Sequence, residues 1–374
     1  MTEVQVLFLI LAGIYLLQCI GWAPLESEVL RIGWRFRAKI LPHGLPLRFG
    51  QHKLFLLNPF SPLAGAIICE SFPSVSTSDE VFPADSTPRN AVTGGRTVRF
   101  NWHEKQQIHS KGKEVLSAGH VLFIPHSEVY ARFVAGVLDR VRKKSLQERD
   151  RAFEREFEKM FDTKKVAERL EEYKSHAAFL RTTCVLLFVF LFVMAPLLIR
   201  LRGLERIWPV LLVYLIWSLA WVGWSFLRAH RALYPEQSEG RWQQVMVLAL
   251  SPFSAIRAND VLLRDLFCAF HPLAVASVLL SKEDARAQAE RNLRQSLFRT
   301  DRDAASSDAA MRRALESFLA KNGMPREELL RPPRRESQNC QTYCPLCLAQ
   351  FVLAEGECPD CGEVQLKEFL PDIQ

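Results

Sequence analysis

The chain of 374 residues is long enough for two or three modules. Apolar residues make up 49% of it, with 25 Phe and 8 Trp, beside 24% charged residues, and the two kinds are segregated into near-pure apolar stretches and dense charged ones. The net charge of +7 suits an anionic lipid surface as well as nucleic acid and excludes neither, while no phosphate-cradling Gly loop, nucleophile elbow, HExxH or kinase-type set marks a catalytic class.

The first predicted element is an anchor over 1–22. From Val4 to Trp22 the chain is almost wholly apolar and long enough to cross ~30 Å of hydrocarbon as a helix. Only Glu3 precedes it with a charge, and the exit Ile20-Gly21-Trp22-Ala23-Pro24 offers no small-x-small cleavage site. The sequence therefore predicts an uncleaved span rather than a signal peptide.

Residues 23–128 read as a small α+β cytosolic module. Strands are expected at Glu28 to Arg37, Lys53 to Leu57, Thr97 to Trp102 and His120 to Pro125. Between them, 71–95 is rich in Ser, Thr, Pro, Asp and Gly and predicts a long mobile loop. Lys111-Gly112-Lys113 punctuates a hairpin.

A charged helical stalk is expected over 129–181, with Ser127 as a candidate N-cap. Phe153, Phe157, Met160 and Phe161 form one apolar stripe; Val166, Leu170, Tyr173 and Ala177 form another, out of phase with the first. A break near Asp162-Thr163 follows, and packing on its own domain is favoured over a coiled coil.

The stalk leads to a transmembrane hairpin over 182–227, with spans at Thr182 to Ile199 and Ile207 to Leu227 and a turn from Arg200 to Arg206. No Asp, Glu, Lys, Arg or His lies within the hydrocarbon portions of the three spans, which argues against transport by this chain. Trp217, Trp221 and Trp224 form an i, i+4, i+7 stripe. Residues 228–281 are expected to hold membrane-associated helices, too short or too charged to span. Twelve Lys and Arg residues flank the spans on one side, against Arg200, Arg202 and Arg206 on the other. This bias predicts the N-terminus and the hairpin turn outside, and the large polar portions and C-terminus in the cytosol of a plasma or bacterial inner membrane.

Helices are next expected at Lys282 to Leu297, Ser307 to Lys321 and Pro325 to Leu330, within a segment 282–335 that ends in the basic linker Arg331-Pro332-Pro333-Arg334-Arg335. The last module, 336–374, carries Cys344-Pro345-Leu346-Cys347 and Cys358-Pro359-Asp360-Cys361-Gly362, two C-x2-C pairs ten residues apart. Two such knuckles aim four thiolates at one point, the ligand set of a tetrahedral metal site. The tail resembles the zinc-ribbon class, with strands expected at Ala349 to Leu353 and Val364 to Phe369. The resemblance covers about 30 residues and implies a structural Zn²⁺ on Cys344, Cys347, Cys358 and Cys361, with no open coordination position. The knuckles also resemble those of rubredoxins, but the long insert and aromatic core of that class are missing. From Cys340 to Gln374 six acidic residues face one base, Lys367, so contact with protein is expected and contact with nucleic acid is not.

Cys340 is a fifth thiol near this set, read as spare but able to compete for a ligand position. Cys19, Cys69, Cys184 and Cys268 are expected to be small buried hydrophobes. His103, His109, His120 and His126 form the other candidate cluster, but without a carboxylate or cysteine at ligand spacing they read as solvated or packed side chains. The overall expectation is an α+β membrane protein with transmembrane helices and a C-terminal zinc ribbon. Its function reads as an integral membrane scaffold or complex subunit with protein partners and no small-molecule substrate. A membrane-bound enzyme and a membrane-tethered nucleic-acid binder are the alternatives.

Overall fold

The computed structural model describes residues 3–24, 27–33, 35–36, 38–40, 48–49, 52–75, 97–98, 107–117, 119–237, 240–298, 306–362 and 364–369. Helix and sheet are mixed. The chain divides into two compact units, one of Met1–Ser71, Pro125–Phe133 and Thr163–Leu279, the other of Phe72–Ile124, Val134–Asp162 and Leu280–Gln374. The expected module 23–128 and stalk 129–181 are each shared between the two.

In the first unit the N-terminal apolar run is helical only over Glu3–Gln18, sixteen residues. Ile20–Pro24, expected as the end of a span, is instead a strand paired antiparallel with His52–Leu56. Gly21 is the reason a strand fits here. It sits opposite Phe55, and a Cβ on Gly21 would lie 2.2 Å from the Phe55 ring, so the ring covers the bare backbone. The second sheet places Glu28–Ile32 between Ala38–Ile40 and Gly65–Cys69, both antiparallel to it. Gly65–Cys69 is buried throughout, as its run of small and β-branched residues requires.

Two long helices follow. Thr163–Arg202 is 40 residues and Leu204–Leu233 is 30, and both are long and apolar enough to cross a membrane. Their apolar windows are only 17% and 22% buried. The first helix carries one inward stripe from Val166 through Leu170, Tyr173, Ala177, Leu180 and Cys184 to Leu187. That stripe does not change where the outer face turns from charged to apolar near Thr182, so the stalk's last third and the expected span are a single helix. Phe190–Met194 forms a π-helical turn. Pro196 follows it; proline has no N–H to give Phe192 and would crowd its carbonyl in an α-helix, a conflict that a wider turn relieves. The expected turn over 200–206 shrinks to Gly203, whose φ of 78° closes the first helix with a bond from its N–H to the Ile199 carbonyl at 2.9 Å. Phe8 meets Phe192 and Tyr15 meets Phe188, so the N-terminal helix runs antiparallel to this one, its start toward the Gly203 end.

The expected membrane-associated stretch after residue 240 forms four helices of ten, five, seven and eight residues, Arg241–Leu250, Pro252–Ile256, Ala258–Arg264 and Pro272–Leu279, none long enough to span. Buried polar residues there are matched to one loop. Arg257 donates to the carbonyls of Ser61 and Ala64 at 3.0 and 2.9 Å, and Asn259 to that of Leu63 at 3.3 Å. Asp260 accepts the Ala66 N–H at 2.8 Å. The backbone groups of 61–66 thereby find partners away from water.

In the second unit, His109–Lys111, Glu114–Ser117 and His120–Phe123 make an antiparallel meander. Its first turn carries Gly112 at φ 58°, inside the expected Lys-Gly-Lys punctuation. Ser74–Val75 pairs with Thr97–Val98; most of the expected loop 71–95, and 99–102 of an expected strand, lie outside the described residues. Helix Leu146–Met160 begins at Ser145 with a capping box to Glu148 and ends where the stripes change phase, before Thr163. It packs on helix Ser306–Lys321 through Phe161 against Phe318, ring centroids 5.1 Å apart, and an Arg313–Glu154 pair at 3.0 Å. Helices Lys282–Phe298 and Arg326–Leu329 precede the cysteine module.

Candidate metal centre

The two cysteine knuckles fold alike. The N–H of Leu348 donates to the Cys344 carbonyl and that of Gly362 to the Cys358 carbonyl, both at 2.9 Å. Each closing residue has positive φ, 66° at Leu348 and 60° at Gly362. The turn bends the chain so that both sulfurs of a pair face the same point. Strand Thr342–Tyr343, which the sequence did not reveal, lies between Gln350–Phe351 and Lys367–Glu368 and holds the knuckles together.

The four sulfurs lie within 4.8 Å of one another and could hold a metal ion. Cys344 and Cys361 are 3.8 Å apart at Sγ, and Cys347 and Cys358 3.7 Å apart. A disulfide requires about 2.05 Å, so these are four separate donors. Cys344 and Cys358 are buried with Val364, against Phe298, Leu346, Phe351 and Leu366. Cys347 is exposed at the rim. Cys340 is half-buried and outside the sulfur cluster.

A residue that the sequence did not single out supports the first knuckle. Arg294, in helix Lys282–Phe298, has a buried guanidinium that donates to the carbonyls of Pro345, Leu329 and Arg331 at 3.0, 3.0 and 2.9 Å. Glu290 balances its charge at 2.9 Å. Phe298 of the same helix packs on the cysteine core, and Lys367 lies over its ring at 4.8 Å. On the outer face Glu355, Glu357, Asp360 and Glu368 are exposed, beside an apolar tip of Val352 and Leu353 that is 64% and 59% exposed.

His103 lies outside the described residues, and His109 and His120 are exposed. His126 is different: its side chain is 12% exposed and held between two carboxylates. Glu70 pairs with Nδ1 and also accepts the His126 backbone N–H at 2.8 Å, while Asp265 lies 3.2 Å from Nε2. Burial opposes a charge on the ring, but the contacts with Asp265 and Glu70 outweigh it and raise the His126 pKa to about 9. The two carboxylates favour the protonated ring. Its partners come from distant points of the chain, and no local spacing could have announced them. Cys19, Cys69, Cys184 and Cys268 are buried, as expected.

Trp217, Trp221 and Trp224 meet edge to face, at centroid distances of 5.7 and 5.4 Å, and remain exposed to different degrees along the second long helix. No protein family, curated protein or solved structure matches this chain.

Proposed function

We propose that this chain is an integral membrane scaffold or complex subunit, crossing the bilayer through Thr163–Arg202 and Leu204–Leu233 and carrying a structural zinc ribbon that contacts other proteins. One observation carries the membrane reading: only 17% and 22% of the two apolar windows is buried. Val210, Val213, Leu201, Ile216 and Leu186 are each more than half exposed. Water would make such a surface aggregate, whereas hydrocarbon is its natural solvent. The N-terminal helix, sixteen residues long and apolar, lies beside them as a short third membrane segment.

Zinc is the metal proposed. Two of the six sulfur separations, 3.8 and 3.7 Å, are close to the ~3.8 Å edge of a tetrahedron with Zn–S bonds of about 2.3 Å, and the others lie within 4.8 Å. Four protein thiolates leave no position for substrate, so the ion's contribution is to folding. Reduced thiolates also favour a cytosolic ribbon, in line with the Lys and Arg bias. The acidic rim and the Val352–Leu353 tip favour a partner with a basic, partly apolar surface and disfavour phosphate backbones.

Four measurements test this. Alkaline carbonate should leave the chain in the membrane pellet; release would end the membrane reading. Elemental analysis should give one zinc per chain; iron or no metal would overturn the assignment. A thiol reagent that cannot cross membranes should leave Cys347 unlabelled in intact cells. For the scaffold itself, purification in mild detergent should bring down stoichiometric companions that Val352→Asp with Leu353→Ser removes; companions unaffected by that variant would place the contact elsewhere.

A further inference from the structure

Three cations at the hairpin turn have no role in the fold. Arg200 and Arg202 close the first long helix, and Arg206 lies in the first turn of the second, on either side of Gly203. All three are exposed and make no ion pair or side-chain hydrogen bond among the described residues. Glu205 is the one acidic residue in this turn, and it too is exposed and unpaired there. Cations at the end of an apolar hairpin sit where headgroups begin.

An apolar groove starts directly beneath them. It has a volume of about 420 Å³, is open to the outside, and is lined by Pro209, Val210, Val213, Tyr214 and Trp217. Arg206, Val210, Val213 and Trp217 are spaced four, three and four apart, so all lie on one face of the helix. The rise from Arg206 to Trp217 is ~16 Å, close to the ~15 Å of hydrocarbon in one leaflet. Arg206 thus stands at the top of a shallow apolar face that runs down one side of the second long helix. Phosphate oxygens suit guanidinium forks, and a headgroup without an ammonium adds no repulsion.

We infer that this end of the hairpin binds one anionic phospholipid, its phosphate drawn to the cations of the turn, with Arg206 in line with one acyl chain laid along the apolar face from Pro209 to Trp217. The inference rests on the membrane reading above. It also gives a physical reason for three arginines on the side of the hairpin where the charge bias expects few.

The full chain is reconstituted in vesicles of phosphatidylcholine with a minority of phosphatidylglycerol, re-extracted in mild detergent, and its retained lipid is measured by mass spectrometry. Phosphatidylglycerol should be enriched about fivefold or more over the vesicle, since each basic residue at the surface contributes roughly that factor. Arg200→Gln with Arg202→Gln and Arg206→Gln should return the ratio to that of the vesicle. Val213→Trp, which fills the groove and keeps the arginines, should lower the retained lipid per chain. A wild-type ratio equal to the vesicle, or variants indistinguishable from wild type, overturns the inference. If the chain washes off the vesicles at alkaline pH, the membrane reading fails with it; if it stays and the ratio is flat, only the lipid site fails.

Discussion

The guanidinium of Arg294 donates to the carbonyl of Pro345 at 3.0 Å, tying a helix of the preceding segment to the second residue of the first cysteine knuckle. With Leu329 and Arg331 held by the same group, one side chain fixes three backbone points that converge beside the sulfur cluster. Removing it leaves the buried carbonyls of Pro345 and Leu329 without this donor. Arg294→Ala should therefore lower unfolding stability by about 2–4 kcal/mol. Arg294→Lys should restore little, because one ammonium on a flexible stem cannot fork to three acceptors. Chemical denaturation measures the first effect. Faster loss of metal to a chelator in both variants measures the coupling to the knuckle.

The knuckles are near repeats, yet one closes on glycine and the other on leucine. A leucine at φ 66° is held in a region that costs about 1–2 kcal/mol for a residue with a Cβ. Leu348→Gly should thus hold the metal at least as tightly as wild type, and Gly362→Ala less tightly by about 1 kcal/mol. Competition with a chromogenic chelator reads both. Equal losses from the two substitutions would mean that the Leu348 side chain matters more than its backbone.

The cysteine set was legible because ligand geometry is written into local spacing, and C-x2-C is a short-range statement. The long helices were legible for the same reason, through uninterrupted apolarity and a stripe running from Val166 to Leu187. The strand at Ile20–Pro24 was not. Its residues continue the apolar run, and what makes it a strand is Phe55 covering Gly21, a contact more than thirty positions away. Arg294 and the Glu70–His126–Asp265 set were illegible for a related reason: each is a polar residue whose meaning depends on partners brought from afar. The turn at 200–206 was overestimated because arginines mark interfaces, while Gly203 alone has the backbone freedom to reverse the chain.

His126 makes stability depend on pH in a definite direction. Its pKa is raised from 6.5 to about 9 by Asp265 and Glu70, against the penalty of burial. A group with a raised folded pKa contributes stability fully below its unfolded value, near pH 6.5, and loses it as pH rises through the folded value. The contribution is about 3 kcal/mol at low pH. Thermal unfolding in detergent should show Tm falling between pH 6.5 and pH 9 and levelling above it. His126→Asn should flatten that slope and lower Tm below pH 7; a slope that survives the substitution would assign the dependence to other groups.

Gly21 gives the last test, because its space is filled by one ring. A methyl group there would meet the Phe55 ring at 2.2 Å, and the ring is itself 2% exposed, with no free volume to enter. Either the ring leaves its rotamer or the two strands part. Gly21→Ala should cost about 1–3 kcal/mol, as overpacking of a closed core does. Phe55→Leu in the Gly21→Ala background should recover part of that loss, since the smaller side chain vacates the contested space. Phe55→Leu alone should destabilise by leaving a void. The two substitutions together are therefore predicted to be more stable than the sum of their separate effects, and strict additivity in a double-mutant cycle would refute the pairing of strand Ile20–Pro24 with His52–Leu56.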